Sequence, residues 1–513
     1  MNTALLSFVS TVTNINGDVN SFVWGIPMLI LLVGTGILMT FLTKFFQISH
    51  IGHWMKNTIG GIFTDRHVTK HTAKNDKAIS QFQSLCTALA ATIGTGNIAG
   101  VATAIYFGGP GAIFWMWVVA FFGMMTNYSE NVLGIYFRRK NKVDEWSGGA
   151  MYYLHDGLGE KKGCKHIGAI LAVLFASFCI LASFGIGNMS QINSIAGTMN
   201  SVFDLPTYIT GIVLMCVAAL IVIGGLKRIA AVTEKLVPFM AIGYIVLALI
   251  IVFMRIDKAG AVFTSIFEGA FHLKAAGGGF VGYGVMQAIT WGMKRGVFSN
   301  EAGLGSSVMV HSNSNVKEPV RQGMWGIFEV FADTIIVCSI TAFVILSSGF
   351  VNLKTGELKS FDSDNASAIV SKVFEGVYGR AGAIFVAIAL LLFAFSTVLG
   401  WSHYGSKAFE YLFGTKTTIL YKIVFVVFIF FGATMNMKLA WDLSDTFNGL
   451  MAIPNLIGVI SLSPLVYKIT KNYVHRVLKH EDIEPMLSHI PEVQAQMAEE
   501  IREANEEGIG SAE

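Results

Sequence analysis

The sequence predicts an all-α polytopic membrane protein with eleven transmembrane helices. Three observations predict it. Of 513 residues, 53% are hydrophobic and only 13% are Asp, Glu, Lys or Arg, about half the charged fraction of a typical soluble protein. Apolar runs near the length of a bilayer-spanning helix, about 20 residues, recur along the chain. Lys and Arg gather in alternate loops between those runs. The same figures exclude other classes. The chain is too apolar for disorder, and a net charge of +3 gives no basic surplus for nucleic acid. The five cysteines (Cys86, Cys164, Cys179, Cys216 and Cys338) form no CxxC pair, so neither a disulfide framework nor a zinc site is expected. The first basic residue is Lys44, so the basic n-region of a cleavable signal is missing.

The elements follow in order. Residues 1–21 read as an external N-terminal segment, and 22–43 as a first, additional span. Residues 44–78 contain KFFQISHIGHWMKNTIGGIF, where apolar and basic residues alternate. This suits either a helix lying on the inner leaflet or a solvated cytoplasmic loop. Two groups of five spans follow. The first, within 79–253, comprises 79–107, 112–137, 167–197, 208–224 and 236–253. The second, within 254–467, comprises 279–310, 323–347, 382–404, 419–434 and 443–467. Residues 468–513 form a cytoplasmic tail that is acidic from Glu481 onward, either one short helix or without fixed structure. With the N-terminus outside, the cytoplasmic loops hold 25 of the 36 Lys and Arg and the external ones hold 8. That asymmetry fits the positive-inside rule. The other three, Lys294, Arg295 and Lys422, lie within spans.

Two spans break the rules of a membrane helix. In ALAATIGTGNIAGVATA (88–104), Gly94, Gly96 and Gly100 weaken the helix, and Thr92, Thr95 and Asn97 put polar atoms at its middle. Unwound backbone in lipid costs several kcal/mol per unsatisfied group, so it survives only where it lines a cavity or is buried in protein. In WGMKRGVFSNEAGLGSS (291–307), Lys294, Arg295 and Glu301 fall where the chain must cross, and ions at that depth are expensive. Glu130, Glu329 and Asp333 are further charges near spans, Asp333 the more deeply placed in its own. The breaks share a pattern, Asn97-Ile98-Ala99-Gly100 and Asn300-Glu301-Ala302-Gly303. They open the two groups of five, as expected for two inverted repeats that place substrate and ions at the midplane. Close helix packing through Gly96 and Gly100 is the competing explanation. The GxGxxA match at 94–99 is no dinucleotide loop, because no strand precedes it. His67 and His71 read as solvated loop residues.

The runs GTGNIAGVATAIYFGGPGAIFWMW (94–117) and GVFSNEAGLGSS (296–307) closely resemble the alanine or glycine:cation symporter family. The resemblance covers nearly the whole chain. It implies a LeuT-type core of two inverted five-helix repeats with discontinuous helices, plus one N-terminal helix, in a prokaryotic inner membrane. It implies Na⁺-coupled uptake of small neutral amino acids, chiefly alanine and glycine, with no cofactor beyond the coupling ion and no obligatory protein partner. It implies substrate contacts from Thr92, Gly94, Thr95, Gly96 and Asn97, with a second wall from Gly292, Met293, Gly296, Phe298 and Asn300. Phe184 and Trp401 would narrow the pocket. A Na⁺ site is implied from the carbonyls of Ala90 and Ile93 and the hydroxyls of Ser396 and Thr397. Those hydroxyls are equally suited to bond back to their own helix. Lys294, Arg295 and Glu301 would pair with one another as a gate near the cytoplasmic half. Glu301 or Asp333 would serve a proton-driven alternative, and a channel or sensor lacks any filter run.

The topology is checked by single cysteines. Lys140→Cys is expected to react with an impermeant maleimide only from the cytoplasmic side, and Lys372→Cys only from outside. Labelling of both from one face sinks the alternation.

Overall fold

Backbone that crosses hydrocarbon must bond to itself, and a helix does so within one segment. The computed structural model, which describes residues 3–73, 76–271, 278–353, 368–435 and 437–506, is accordingly almost all helix. Among the described residues seven helices are long and apolar enough to cross a membrane, or eight if one bent pair counts as a span. Apolar side chains such as Leu220, Phe239, Ile242 and Leu420 are exposed on the outside of the bundle, as a lipid-facing surface requires.

The bent pair is α1 (Thr3–Val23) and α2 (Ile26–Leu42), which meet at 43°. Residues 1–21, expected as a plain external segment, are therefore mostly helix. The run TVTNINGDVN is too polar for a hydropathy reading to find it, but its last residue and the tryptophan that follows bond to the long helix Met437–Tyr473. Asn20 Nδ2 donates to Thr446 Oγ1 at 3.0 Å, and Trp24 Nε1 donates to the Asp445 carbonyl at 2.8 Å. After α2 come short helical pieces between Phe46 and Thr69. Phe46 and Trp54 are buried there while Ile48, Ile51 and Phe63 are exposed.

The first group of five holds α3 (Gln81–Thr92), α4 (Ala99–Gly108), α5 (Gly111–Tyr136), α6 (Lys165–Phe184), α7 (Ser190–Phe203), α8 (Thr207–Val222) and α9 (Leu226–Met254). A small antiparallel hairpin, β1 (Arg139–Lys140) with β2 (Trp146–Ser147), follows α5. The second group holds α10 (Ala259–Phe271), α11 (Gly278–Asn300), α12 (Pro319–Val330), α13 (Ser339–Leu346), α14 (Ile369–Tyr378), α15 (Arg380–Phe413), α16 (Thr418–Thr434) and α17 (Met437–Tyr473). A π-helical stretch, Phe331–Cys338, joins α12 to α13. The tail forms α18 (Pro491–Glu506), held by a Lys317–Glu500 ion pair at 2.9 Å and an apolar patch of Leu487, Met497, Ala498 and Ile501.

Helix α3 starts with a reciprocal cap. Gln83 N–H donates to Ser80 Oγ at 3.1 Å, and Ser80 N–H donates to Gln83 Oε1 at 3.2 Å. Just before it, Ile79 forms a short parallel bridge with Ser314: Ile79 N–H bonds the Asn313 carbonyl at 3.0 Å, and Asn315 N–H bonds the Ile79 carbonyl at 2.9 Å. The start of the first broken helix thus lies against the end of the second. Helix α11 runs along α5, where a Cβ at Gly292 would come within 2.3 Å of the Ala112 carbonyl oxygen and one at Gly296 within 2.6 Å of Val119.

Gly305 has φ of +70°, and a Cβ there would lie 2.6 Å from Asn455 Oδ1. Gly243, inside α9, has nothing within 4 Å of its missing Cβ. Gly305→Ala is expected to destabilise by about 1–3 kcal/mol, and Gly243→Ala to be neutral or stabilising by up to about 1 kcal/mol. Thermal melts of the purified protein check both. Equal shifts would contradict this account of the 301–307 segment.

Candidate functional site

Helix α3 ends at Thr92 and α4 begins at Ala99, with a single 3₁₀ turn, Thr95–Asn97, between them. Side chains satisfy the exposed backbone. Gly94 N–H donates to Asn97 Oδ1 at 2.9 Å, and Thr95 N–H donates to Gln191 Oε1 at 3.2 Å. The other end of Asn97 donates from Nδ2 to Asp333 Oδ1 at 2.6 Å. Thr334 Oγ1 donates to Asp333 Oδ2 at 2.8 Å and accepts from Asn300 Nδ2 at 3.0 Å. Gly96 stands against Ser299, whose Cα a Cβ would approach to 3.1 Å. Break one, the end of α11 and the π-helical stretch therefore meet in one buried polar cluster. Asp333 lies in it, fully buried, with no cation paired to it among the described residues.

Two adjacent hydroxyls on α15 face the same region. Ser396 Oγ and Thr397 Oγ1 donate to the Ala90 carbonyl at 3.3 and 3.0 Å. Both also reach back to the Phe393 carbonyl of their own helix, at 2.8 and 3.1 Å. A Cβ at Gly94 would stand 2.4 Å from Thr397 Oγ1, so only glycine permits this approach of break one to α15. Ala90, Ser396 and Thr397 are thus brought together, and Ile93 lies at the end of the same turn. Hard oxygen donors in this number suit a hard cation. The Thr92 hydroxyl bonds back to the Ala88 carbonyl at 3.3 Å.

The second break comes later than the expected wall. Helix α11 stays helical through Asn300, and the chain unwinds over 301–307 before a last turn at Val308–His311. Glu301 takes φ of +57°, an uncommon conformation for a residue with a Cβ. Its carboxylate accepts from Trp401 Nε1 at 2.7 Å and Ser306 Oγ at 2.6 Å. Asn455 of α17 donates to the Gly303 carbonyl at 2.9 Å and to Glu130. Glu329 accepts from Asn127 at 3.3 Å and pairs with His311 at 3.1 Å.

Several expected roles change. Lys294, Arg295 and Glu301 do not pair with one another. Lys294 Nζ lies 2.7 Å from Asp445 Oδ2 and Arg295 3.0 Å from Asp445 Oδ1, because both cations point from α11 toward α17, whereas Glu301 lies past the helix end. This clasp sits near the start of α17, at the end of the bundle that the sequence reading places outside. Lys294 also donates to Asn20 Oδ1 at 3.1 Å, and Trp24, Trp291 and Trp441 ring the two cations. Gly292 and Gly296 are packing glycines against α5. Met293 is a buried member of the main core, and Phe298 stacks on Trp441 at 5.0 Å. Phe184 packs on Tyr421, Phe425 and Phe428 of α16, so it does not line break one. Trp401, fully buried, closes on Gly187 and Glu301. Gln191 and Asp445 were not foreseen, although each is a polar residue inside an apolar span, the signal that exposed Lys294.

Known proteins resemble the chain along nearly all its length. The model of the sodium:alanine symporter family matches residues 9–487. The sodium/alanine symporter AgcS of Methanococcus maripaludis is 46% identical over 93% of this chain and 99% of its own. The probable sodium/glutamine symporter GlnT of Bacillus subtilis is 35% identical over 90% and 91% of the two chains. The solved structure of a Na⁺-coupled sialic acid symporter, 11% identical, superposes with a TM-score of 0.51 over 93% of this chain and 96% of that one, which bears on the fold alone. These relatives are secondary transporters and not enzymes. By its sequence over residues 9–487 and by its bundle of apolar helices, the chain belongs to the sodium:alanine symporter family.

Proposed function

We propose that this protein takes up alanine, and glycine with it, by Na⁺-coupled symport through alternating access. In this reading the chain crosses a prokaryotic plasma membrane eleven times, N-terminus outside, with two inverted five-helix repeats opened by the two broken helices. The observation that carries it is the meeting of the Ser396 and Thr397 hydroxyls with the Ala90 carbonyl beside Gly94. Na⁺ would break those two hydrogen bonds: the hydroxyls, keeping their protons, would turn their lone pairs to the ion, which the carbonyls of Ala90 and Ile93 would also ligate. The family membership and the AgcS name support alanine and sodium as the pair.

The substrate would lie against residues 92–97. Backbone N–H groups of the unwound turn suit its carboxylate. Its ammonium would bring Asp333 the positive charge that the described residues withhold. The Lys294–Asp445–Arg295 clasp would close the outer path by joining α11 to α17. Proton coupling is the second reading, favoured by Glu301 and Asp333 lying buried with hydroxyl, amide or indole partners and no cation.

Uptake of labelled alanine into proteoliposomes decides between them. Transport is expected to collapse when the Na⁺ gradient is abolished and to survive Glu301→Gln at fixed pH. Uptake that persists without Na⁺ but follows a pH gradient would establish the proton reading. Competition by glycine, D-alanine and glutamine then sets the side-chain limit.

Thr397→Ala is expected to raise the Na⁺ concentration for half-maximal uptake by about tenfold, the size of one hydrogen bond to a charge, with little change in alanine affinity at saturating Na⁺. Coupling is reciprocal, so alanine should tighten Na⁺ binding in wild type. Equal losses in both affinities would remove Thr397 from the ion site.

A further inference from the structure

Two neighbouring cavities open at the end of the bundle that carries the basic loops. One, of about 230 Å³, is lined by Lys407, Lys416 and Lys422 together with Glu145 and Glu410. The other, of about 440 Å³, shares Lys416 and Glu410 and adds Arg139, Lys140 and Lys142. Some of these charges are spoken for. Lys407 pairs with Glu145 at 3.3 Å and Glu410 at 3.0 Å, Lys140 with Asp144 at 3.3 Å, and Arg139 with Asp156 at 3.7 Å. Lys142, Lys416 and Lys422 have neither a hydrogen bond nor an ion pair among the described residues. Lys422 is half-buried, and the two carboxylates that share its cavity, Glu145 and Glu410, are paired with Lys407 instead.

Backbone adds to the same sign. Helix α9 starts at Leu226 after Gly225, and α16 starts at Thr418. Neither start has a side-chain cap. Gly225, Leu226, Thr415 and Thr418 all line the smaller cavity, so the start of α9 and the 3₁₀ turn that leads into α16, in which Thr418 N–H bonds the Thr415 carbonyl, put the positive ends of their dipoles beside it. The surroundings are apolar. Phe413, Ile419, Leu420 and Ile223 are 59%, 46%, 58% and 51% exposed, and each lies within a few residues of the cavity lining. A free anion needs the cations alone, whereas a lipid needs cations for its headgroup and an open apolar face for its chains.

We propose that this depression binds the phosphate headgroup of an anionic lipid, seated on Lys416 and Lys422, with its acyl chains on the exposed face of α16. The site is separate from both broken helices, and the inference stands whether or not the transport reading holds.

The test uses the purified full-length protein in detergent, titrated with phosphatidylglycerol and read by native mass spectrometry. Wild type is expected to retain the lipid, and millimolar inorganic phosphate to leave it in place. K416Q/K422Q should bind about tenfold or more weakly, since each basic residue near an anionic lipid contributes roughly fivefold. K416R/K422R and the distant K372Q should bind as wild type, and affinity should fall with added NaCl. Displacement by inorganic phosphate would overturn the lipid assignment in favour of a free-phosphate site. Binding by K416Q/K422Q at wild-type strength would overturn the site itself. A K416R/K422R loss equal to that of the glutamine pair would do the same, because the charge would then not be what binds.

Discussion

Unwound peptide groups in hydrocarbon have no water to turn to, and the rest of this bundle is arranged around meeting that demand at two places. Asn97 is the clearest case. One end of its amide closes the turn on Gly94 N–H, and the other grips Asp333. A side chain that only capped the turn would leave the broken helix loose. This one ties it to the π-helical stretch, where the ladder is already irregular, a feature that recurs at functional sites. Gln191 and Asn455 do the same work from other helices. Each break is therefore specified by residues about 100 to 240 positions away, and its geometry is a property of the whole bundle.

Buried charge obeys the same economy of partners. Asp445 holds two cations at once while aromatic faces cover them, so α1, α11 and α17 converge on one carboxylate. Taking ions from water is costly unless pairing and hydrogen bonds are close to complete, and Asn20 contributes a further acceptor. Glu301, Glu329 and Asp333 are treated differently. They are met by hydroxyl, amide, indole or imidazole groups, which solvate a carboxylate without cancelling its charge. Among the described residues the acids nearest the breaks thus have no Lys or Arg partner, whereas the cations nearest the N-terminal helix have a carboxylate.

What could be read from the residues divides along physical lines. The spans, the loops' charge bias and both breaks are local in sequence, carried by Gly, by hydropathy and by Lys and Arg counts. Thr397 beside Ala90 came through because the family resemblance supplied a pairing that spacing alone does not. The polar first helix was missed because its partners lie on α17, and hydropathy sees no partners. Gly292 and Gly296 were misjudged because a glycine that lets two helices touch looks like one that loosens a backbone. Phe184 and Trp401 are both aromatics near the site in sequence, yet the turn at Gly185–Met189 sends Phe184 outward to α16, while Trp401 reaches Glu301.

The small bridge between Ile79 and Ser314 has a mechanical meaning. It fastens the entry of one discontinuous helix to the exit of the other by two peptide hydrogen bonds, while the unwound links at 93–98 and 301–307 lie further in. The entry of one and the exit of the other therefore share one anchor, made of main chain alone. A displacement of either end would strain both of those hydrogen bonds, whatever the side chains around them do.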